Sequence, residues 1–229
     1  MARDKAGMLS CRALRKTYQT SRGPVDAVRG INLDVSAGDY LALIGRSGSG
    51  KSTLMAMFGG LSHPSAGSLL VDGADIWSLG ENAMARFRNK RIGYIFQFAS
   101  LLPSLRAIDN VVLPALLGRY DATADSYKRA ARLLTELGLG SHFDAYPSEM
   151  SAGEQRRTVI ARALINDPVL LLADEPTSDL DVETESEIMA LLRNINRERG
   201  TTLILVTHNL ALASEAAHVV HIADGTIIP

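Results

Sequence analysis

The sequence predicts an α/β fold: a parallel-sheet core, an antiparallel β subdomain near the N-terminus and an inserted helical subdomain. Three observations carry that reading. Residues 41–44, 92–96, 169–173 and 203–206 are short, near-continuous apolar runs, the pattern of strands covered on both faces of a parallel sheet. Helical periodicity alternates with them. The N-terminal third instead shows strand-like stretches between Gly-rich turns, and residues 98–166 hold helical patterns with no strand.

In chain order, residues 9–18, 25–35 and 68–71 read as strands of the antiparallel flap. The run 41–44 leads into a Gly-rich loop at 45–52 and then a helical pattern over 53–58, and 92–96 forms another core strand. Helices are predicted over 108–117, 123–137 and 153–165. After the strand 169–173, residues 182–196 place Ile188, Leu191, Leu192 and Ile195 on one stripe. Acids open that helix, Arg193 and Arg197 lie late in it, and Gly200 stands just past its end. The strand 203–206 completes the core. The whole of 1–229 reads as one domain: core and flap occupy 1–97 and 167–229, and the helical subdomain about 98–166. No internal repeat or low-complexity tract interrupts it.

Composition bounds the function. The chain has 229 residues, 46% of them hydrophobic and 21% charged, enough for one sizeable core. Lys plus Arg number 24 against 25 Asp plus Glu, so no global field draws the chain to nucleic acid, and none is expected as a partner. The lone Cys11 cannot pair within the chain and suits a small core position, and the opening MARDKAGMLS lacks the apolar centre of a signal peptide. Both predict a reducing cytoplasm. The apolar runs fall far short of the roughly 20 residues that span a bilayer, so any membrane role is expected through a partner.

The chemistry concentrates at strand ends. Gly45-Arg46-Ser47-Gly48-Ser49-Gly50-Lys51-Ser52 satisfies the phosphate-binding pattern G-x-x-x-x-G-K-[ST] between a strand and a helix that opens with Thr53. The glycines let successive N–H groups curl around the β- and γ-phosphates, Lys51 adds charge, and Ser52 is a ligand for Mg²⁺. Asp174 and Glu175 end another strand at the edge where α/β folds gather their chemistry. Asp174 suits the surroundings of the Mg²⁺, and Glu175 is placed to take a proton from an attacking water, a role worth roughly 10²- to 10⁴-fold in rate. Gln97 and His208 also close apolar runs at that edge, which suggests a Mg²⁺ or water contact for Gln97 and a γ-phosphate sensor in His208. The stretch SEMSAGEQRR at 148–157 has two readings: Ser151 and Glu154 form the capping box of a helix, or the same helix N-terminus grips an anion.

In this order of motifs the chain resembles the nucleotide-binding subunits of ATP-binding cassette (ABC) transporters over nearly its whole length. The matches are Tyr18, the loop at 45–52, Gln97, MSAGEQ at 150–155, LLLADEPTSDLD at 170–181 and His208. The stretches QFASLLPSLRAIDNV and GGLSHPSAG resemble the bacterial branch of macrolide-type exporters, lipoprotein-releasing complexes and the cell-division ATPase. The resemblance implies ATP and Mg²⁺ as cofactors, with Tyr18 stacked on adenine. It also implies a head-to-tail dimer of two copies around two ATP, with Ser151, Gly153 and Glu154 meeting the nucleotide of the opposite copy and Asp179 and Asp181 along the closing seam. An integral membrane permease subunit would dock near residues 98–105, where Phe98, Leu101, Leu102 and Leu105 offer either contacts or internal packing. The ATPase would then sit on the cytoplasmic face of the inner membrane, powering export or extraction of a substrate. An alternative is a mechanotransmitter that switches an extracytoplasmic enzyme without transport. Ala152 departs from the family pattern, which places the first of two glycines there.

Overall fold

The computed structural model describes residues 7–118 and 124–228. Strands β1 (Gly7–Thr20) and β2 (Gly23–Ser36) form a long hairpin, and β3 (Tyr40–Ile44) runs through the Gly-rich loop into α1 (Lys51–Phe58). Then come β4 (Ala66–Val71), β5 (Ala74–Asp75), α2 (Glu81–Arg91) and β6 (Ile92–Ile95). The helices α3 (Ala107–Gly118), α4 (Ala124–Glu136) and α5 (Ala152–Leu164) follow. The chain returns to the sheet with β7 (Leu170–Asp174), α6 (Val182–Arg199), β8 (Thr202–Val206), α7 (Leu210–Ala213), β9 (His218–Ala223) and β10 (Thr226–Ile228).

Two sheets result. The antiparallel one has the order β2-β1-β4-β5, and the core sheet has the order β10-β9-β3-β8-β7-β6, parallel except for the β10–β9 pairing. Every residue of β3 and β8 is buried, which is why these strands read as unbroken apolar runs. Alternation along β7 divides the core. Leu170 and Leu172 face a cluster with the antiparallel sheet and α1, including Leu9, Leu14, Leu54 and Phe58. Leu171 and Ala173 face the helical side, with Val111, Leu134, Ile160, Ile188 and Leu192. Cys11 is fully buried in the first cluster, and burial pushes its thiol up to about 11.

The expected core strands and helices are all present with shifted ends, and two shifts matter. The strand expected over 92–96 stops at Ile95, leaving Phe96 outside the sheet, stacked on Tyr94 at 4.2 Å. The helix expected to end at Asn196 runs on to Arg199, where Gly200 at φ 66° closes it in the left-handed conformation that glycine adopts without strain. Thr123, the expected start of one helix, lies outside the described residues, as does the start of MARDKAGMLS. Elements that the apolar pattern did not show include α2, which buries only Met84, the strand β9 and the edge strand β10.

Candidate functional site

The parallel register brings the ends of β3, β7 and β8 to one edge: Leu43 pairs with Val206, and Asp174 with Val206 from the other side. The loop after β3 wedges against two strands. A Cβ on Gly45 (φ 155°) would lie 2.1 Å from the Ile222 carbonyl, and one on Gly50 (φ 104°) would lie 2.2 Å from the Ala27 carbonyl. Only glycine fits such an approach in a left-handed conformation. Gly50 caps α1 without a side-chain hydrogen bond, so the first N–H groups of α1 face the loop unpaired by any cap. Lys51 is only 6% exposed, and its ammonium donates to the carbonyls of Gly45 (2.8 Å) and Arg46 (2.9 Å). Among the described residues the buried Ser49 hydroxyl has no hydrogen-bond partner.

Around this loop lies a cavity of about 560 Å³ lined by Gly45, Ser47, Gly48, Gly50, Lys51, Ser52 and Thr53, together with Gln97, Glu175 and His208. Strand order alone joins these distant stretches. Glu175 adopts a left-handed φ of 44°, a strained conformation for a side-chain-bearing residue, while its N–H donates to the Val206 carbonyl at 2.9 Å. Its carboxylate lies 3.1 Å from His208 Nδ1. Burial raises the Asp174 carboxyl above the usual range, the nearby Ser52 hydroxyl and Lys51 oppose that, and the charge of Glu175 adds to it. Glu185 on α6, unremarked in the sequence, accepts from Thr177 at 2.9 Å and from Asn209 at 3.2 Å, tying the segment after Glu175 to the one after His208.

The other expected residues lie off this cavity. Tyr18 does not line it; the nearby Ser62 and Thr53 hydroxyls hold its ionisation below the usual range, and Thr53 lines the cavity. Ser151 and Glu154 form the capping box. The Ser151 N–H donates to Glu154 Oε2 at 2.8 Å, the Glu154 N–H donates to Ser151 Oγ at 3.3 Å, and the Ser151 backbone bond holds the Glu154 carboxyl low. Ala152 is the first residue of α5, directly after the extended Ser151 cap. Asp181 caps α6 by accepting from the Thr184 N–H at 3.0 Å and the Thr184 hydroxyl at 2.7 Å. The loop and this cap touch, since a Cβ on Gly153 would lie 2.8 Å from Thr184 Cγ2. Of the apolar residues at 98–105, Phe98 is 70% exposed and Leu102 is exposed, whereas Leu101 packs on the core and Leu105 is half-buried.

The arrangement fits a nucleotide triphosphate. Its phosphates would occupy the glycine cradle, where Ser49 Oγ and the α1 N-terminus await partners and Lys51 is close enough to exchange carbonyls for phosphate oxygens. Among the described residues no group of three His, Cys, Asp or Glu could hold a metal. Mg²⁺ takes few protein ligands and keeps water and phosphate oxygens, so Ser52, Asp174 and Gln97 fit such an ion beside a nucleotide.

Comparison with known proteins agrees. Residues 28–178 match the family model described as ABC transporter. The Macrolide export ATP-binding/permease protein MacB of Syntrophobacter fumaroxidans is 44% identical over 97% of this chain, which spans 31% of that relative's length. The Lipoprotein-releasing system ATP-binding protein LolD of Geobacter metallireducens is 44% identical over 97% of this chain and 99% of its own. A solved dimeric ATP-binding cassette in a post-hydrolysis state, bound to ADP and Pi, superposes with a TM-score of 0.90 at 33% identity, covering 97% of both chains.

Proposed function

The chain belongs to the ABC transporter family, and from that premise we propose that it is the ATP-hydrolysing subunit of a membrane complex. Two copies close head to tail on two ATP and drive export or extraction of a substrate through partner membrane subunits. The observation that carries this reading is the division of the chemistry between two places. The phosphate loop, Gln97, Glu175 and His208 line one cavity, and Ser151, Gly153 and Glu154 do not line it. A second copy turned head to tail would present its Ser151–Gly153 turn to the first copy's phosphates, exchanging the capping bonds of Ser151 for phosphate oxygens. Asp181 would then lie near the seam, since its cap on Thr184 adjoins Gly153.

Within each cavity Glu175 accepts the proton of an attacking water, and His208, hydrogen-bonded to Glu175, contacts the γ-phosphate. Ser52, Asp174 and Gln97 would hold Mg²⁺, which would supply neutralisation of phosphate charge. Tyr18 would stack on the adenine beside Thr53. The exposed Phe98 and Leu102 suit a permease segment lying at the cytoplasmic face of the inner membrane. Among the described residues no helix is long and apolar enough to cross a membrane, consistent with attachment through that partner. The names of the relatives, macrolide export and lipoprotein release, support transport over the mechanotransmitter reading.

The assembly test uses Glu175→Gln, whose amide cannot accept the proton, so that the ATP-bound state persists. This variant is expected to elute as a dimer in sizing experiments with ATP and Mg²⁺ and as a monomer with ADP. A single monomeric peak in both would refute the two-site sandwich.

For His208→Ala we expect the saturated rate to fall by at least about tenfold more than ATP affinity, because a contact to the γ-phosphate acts mainly in the hydrolytic state. His208 is 70% exposed on its side chain, so its truncation removes little buried packing. Equal losses of binding and rate, measured by nucleotide titration beside steady-state turnover, would make it a binding residue only.

A further inference from the structure

Beyond Ile95 the chain leaves the core sheet, and arginine side chains bind the carbonyls that follow. Arg156 of α5 is 3% exposed and donates from Nη1 to the Phe96 carbonyl and from Nη2 to the Gln97 carbonyl, both at 2.8 Å. Arg162 of the same helix donates to the Ser100 carbonyl at 2.9 Å, the Ser100 hydroxyl at 3.0 Å and the Ala99 carbonyl at 3.4 Å. Burial lowers the proton affinity of both guanidinium groups; for Arg156 only the charge of Asp179 opposes it. Among the described residues Arg156 Nε has no hydrogen-bond partner. A buried cation with incomplete hydrogen bonding is costly, so packing alone favours an apolar residue at 156.

The position of Arg156 explains the cost. It lies about one turn after Gly153 on the helix that Ser151 caps, it holds the backbone of Gln97, whose side chain lines the nucleotide cavity, and the charge of Asp179 reaches it from the segment after Glu175. We propose that Arg156 is a positioning residue for Gln97: its planar fork binds the Phe96 and Gln97 carbonyls, so that Gln97 moves with the N-terminus of α5. The inference rests on the function proposed above and supplies the physical link between its two halves. When Ser151 and Gly153 engage the nucleotide of the second copy, the displacement of α5 reaches the first copy's Gln97 through two hydrogen bonds. Lysine, a point charge on a flexible stem, lacks the planar fork whose two nitrogens fix the two carbonyls relative to each other.

The test compares Arg156→Gln, Arg156→Lys, Gln97→Ala and the double variant Arg156→Gln/Gln97→Ala in the assembled membrane complex. Losing the group that orients a metal-facing side chain commonly costs about 10- to 100-fold, so each of Arg156→Gln and Gln97→Ala should lower the saturated ATPase rate by about that much. The ATP KM should stay within about threefold, because the phosphate loop is untouched. The double variant should be no slower than the slower single one, and Arg156→Lys should recover only part of the rate. Independently of activity, amide hydrogen exchange over residues 96–101 should accelerate in Arg156→Gln while residues 45–52 keep wild-type protection. Additive losses in the double variant, or unchanged exchange at 96–101, would overturn the proposal. Should Arg156→Gln fail to fold, Arg156→Lys carries both measurements. A wild-type complex without ATPase activity would instead refute the function itself.

Discussion

In Lys51→Ala, ATP binding is expected to vanish at concentrations that saturate the unaltered protein. Lys51 is almost wholly buried, and its ammonium is held by two loop carbonyls, Gly45 and Arg46. That arrangement stores the charge at the phosphate cradle and keeps it within reach of an incoming anion. Each hydrogen bond to a charged group contributes about 1.5–3 kcal/mol. At about 1.4 kcal/mol per tenfold in affinity, losing even two such contacts to phosphate costs 10²-fold or more. The truncation also leaves the two carbonyls pointing inward with no donor, which loosens the loop that the glycines shape. Titration with a fluorescent ATP analogue, with thermal unfolding as the check on folding, decides the matter. Near-normal affinity in a folded Lys51→Ala would remove the phosphate-binding assignment of residues 45–52.

The second large effect is expected at Gly153, where two causes must be separated. A side chain there meets Thr184 Cγ2 within the same chain, and it would also stand between the proposed copies. Thr184 cannot simply rotate away, because its hydroxyl is bonded to Asp181. We therefore expect Gly153→Asp to abolish nearly all ATPase activity of the assembled complex, and we expect the additional change Thr184→Ala, which removes the obstructing methyl, not to restore it. The remaining cause is a carboxylate facing phosphate, a repulsion of about 1 kcal/mol at 4 Å even in bulk water and about 4 at the effective dielectric of a protein surface. ATP binding to the isolated chain should be unaffected, since Gly153 does not line its cavity. Full activity in Gly153→Asp/Thr184→Ala would reduce the loop to a helix cap. Ala152→Gly is the matched control. Ala152 opens α5 with helical geometry, so glycine there costs up to about 1 kcal/mol of helix stability and should leave the rate within a few-fold.

The particular residues show where sequence reading reaches and where it stops. The loop at 45–52 was legible because glycine spacing, lysine and the flanking strand and helix are all local. Ser151 and Glu154 were legible as a capping box for the same reason, and both bonds are present. The α2 helix was not, since it buries a single residue and leaves no apolar stripe to find. The region 98–105 was ambiguous as a list of leucines and a phenylalanine. In the structure Leu101 is partly buried against the core, whereas Phe98 and Leu102 are exposed.

By itself the sequence determined the fold class, the Gly-rich loop between β3 and α1, the carboxylates at the end of β7, the capping box of α5 and the glycine that closes α6. These features follow from backbone preferences and side-chain periods within a few residues of one another. Only the tertiary structure decided that β8 lies between β3 and β7, which sets His208 within 3.1 Å of Glu175. It alone placed Arg156 on the carbonyls of Phe96 and Gln97, 60 and 59 residues away along the chain, and set Gly153 against Thr184. Such contacts depend on strand order and on which helix face packs where, and these are settled by burying the apolar surface of the whole chain at once. No window of sequence holds both partners of such a contact, so their geometry exists only once the core has formed.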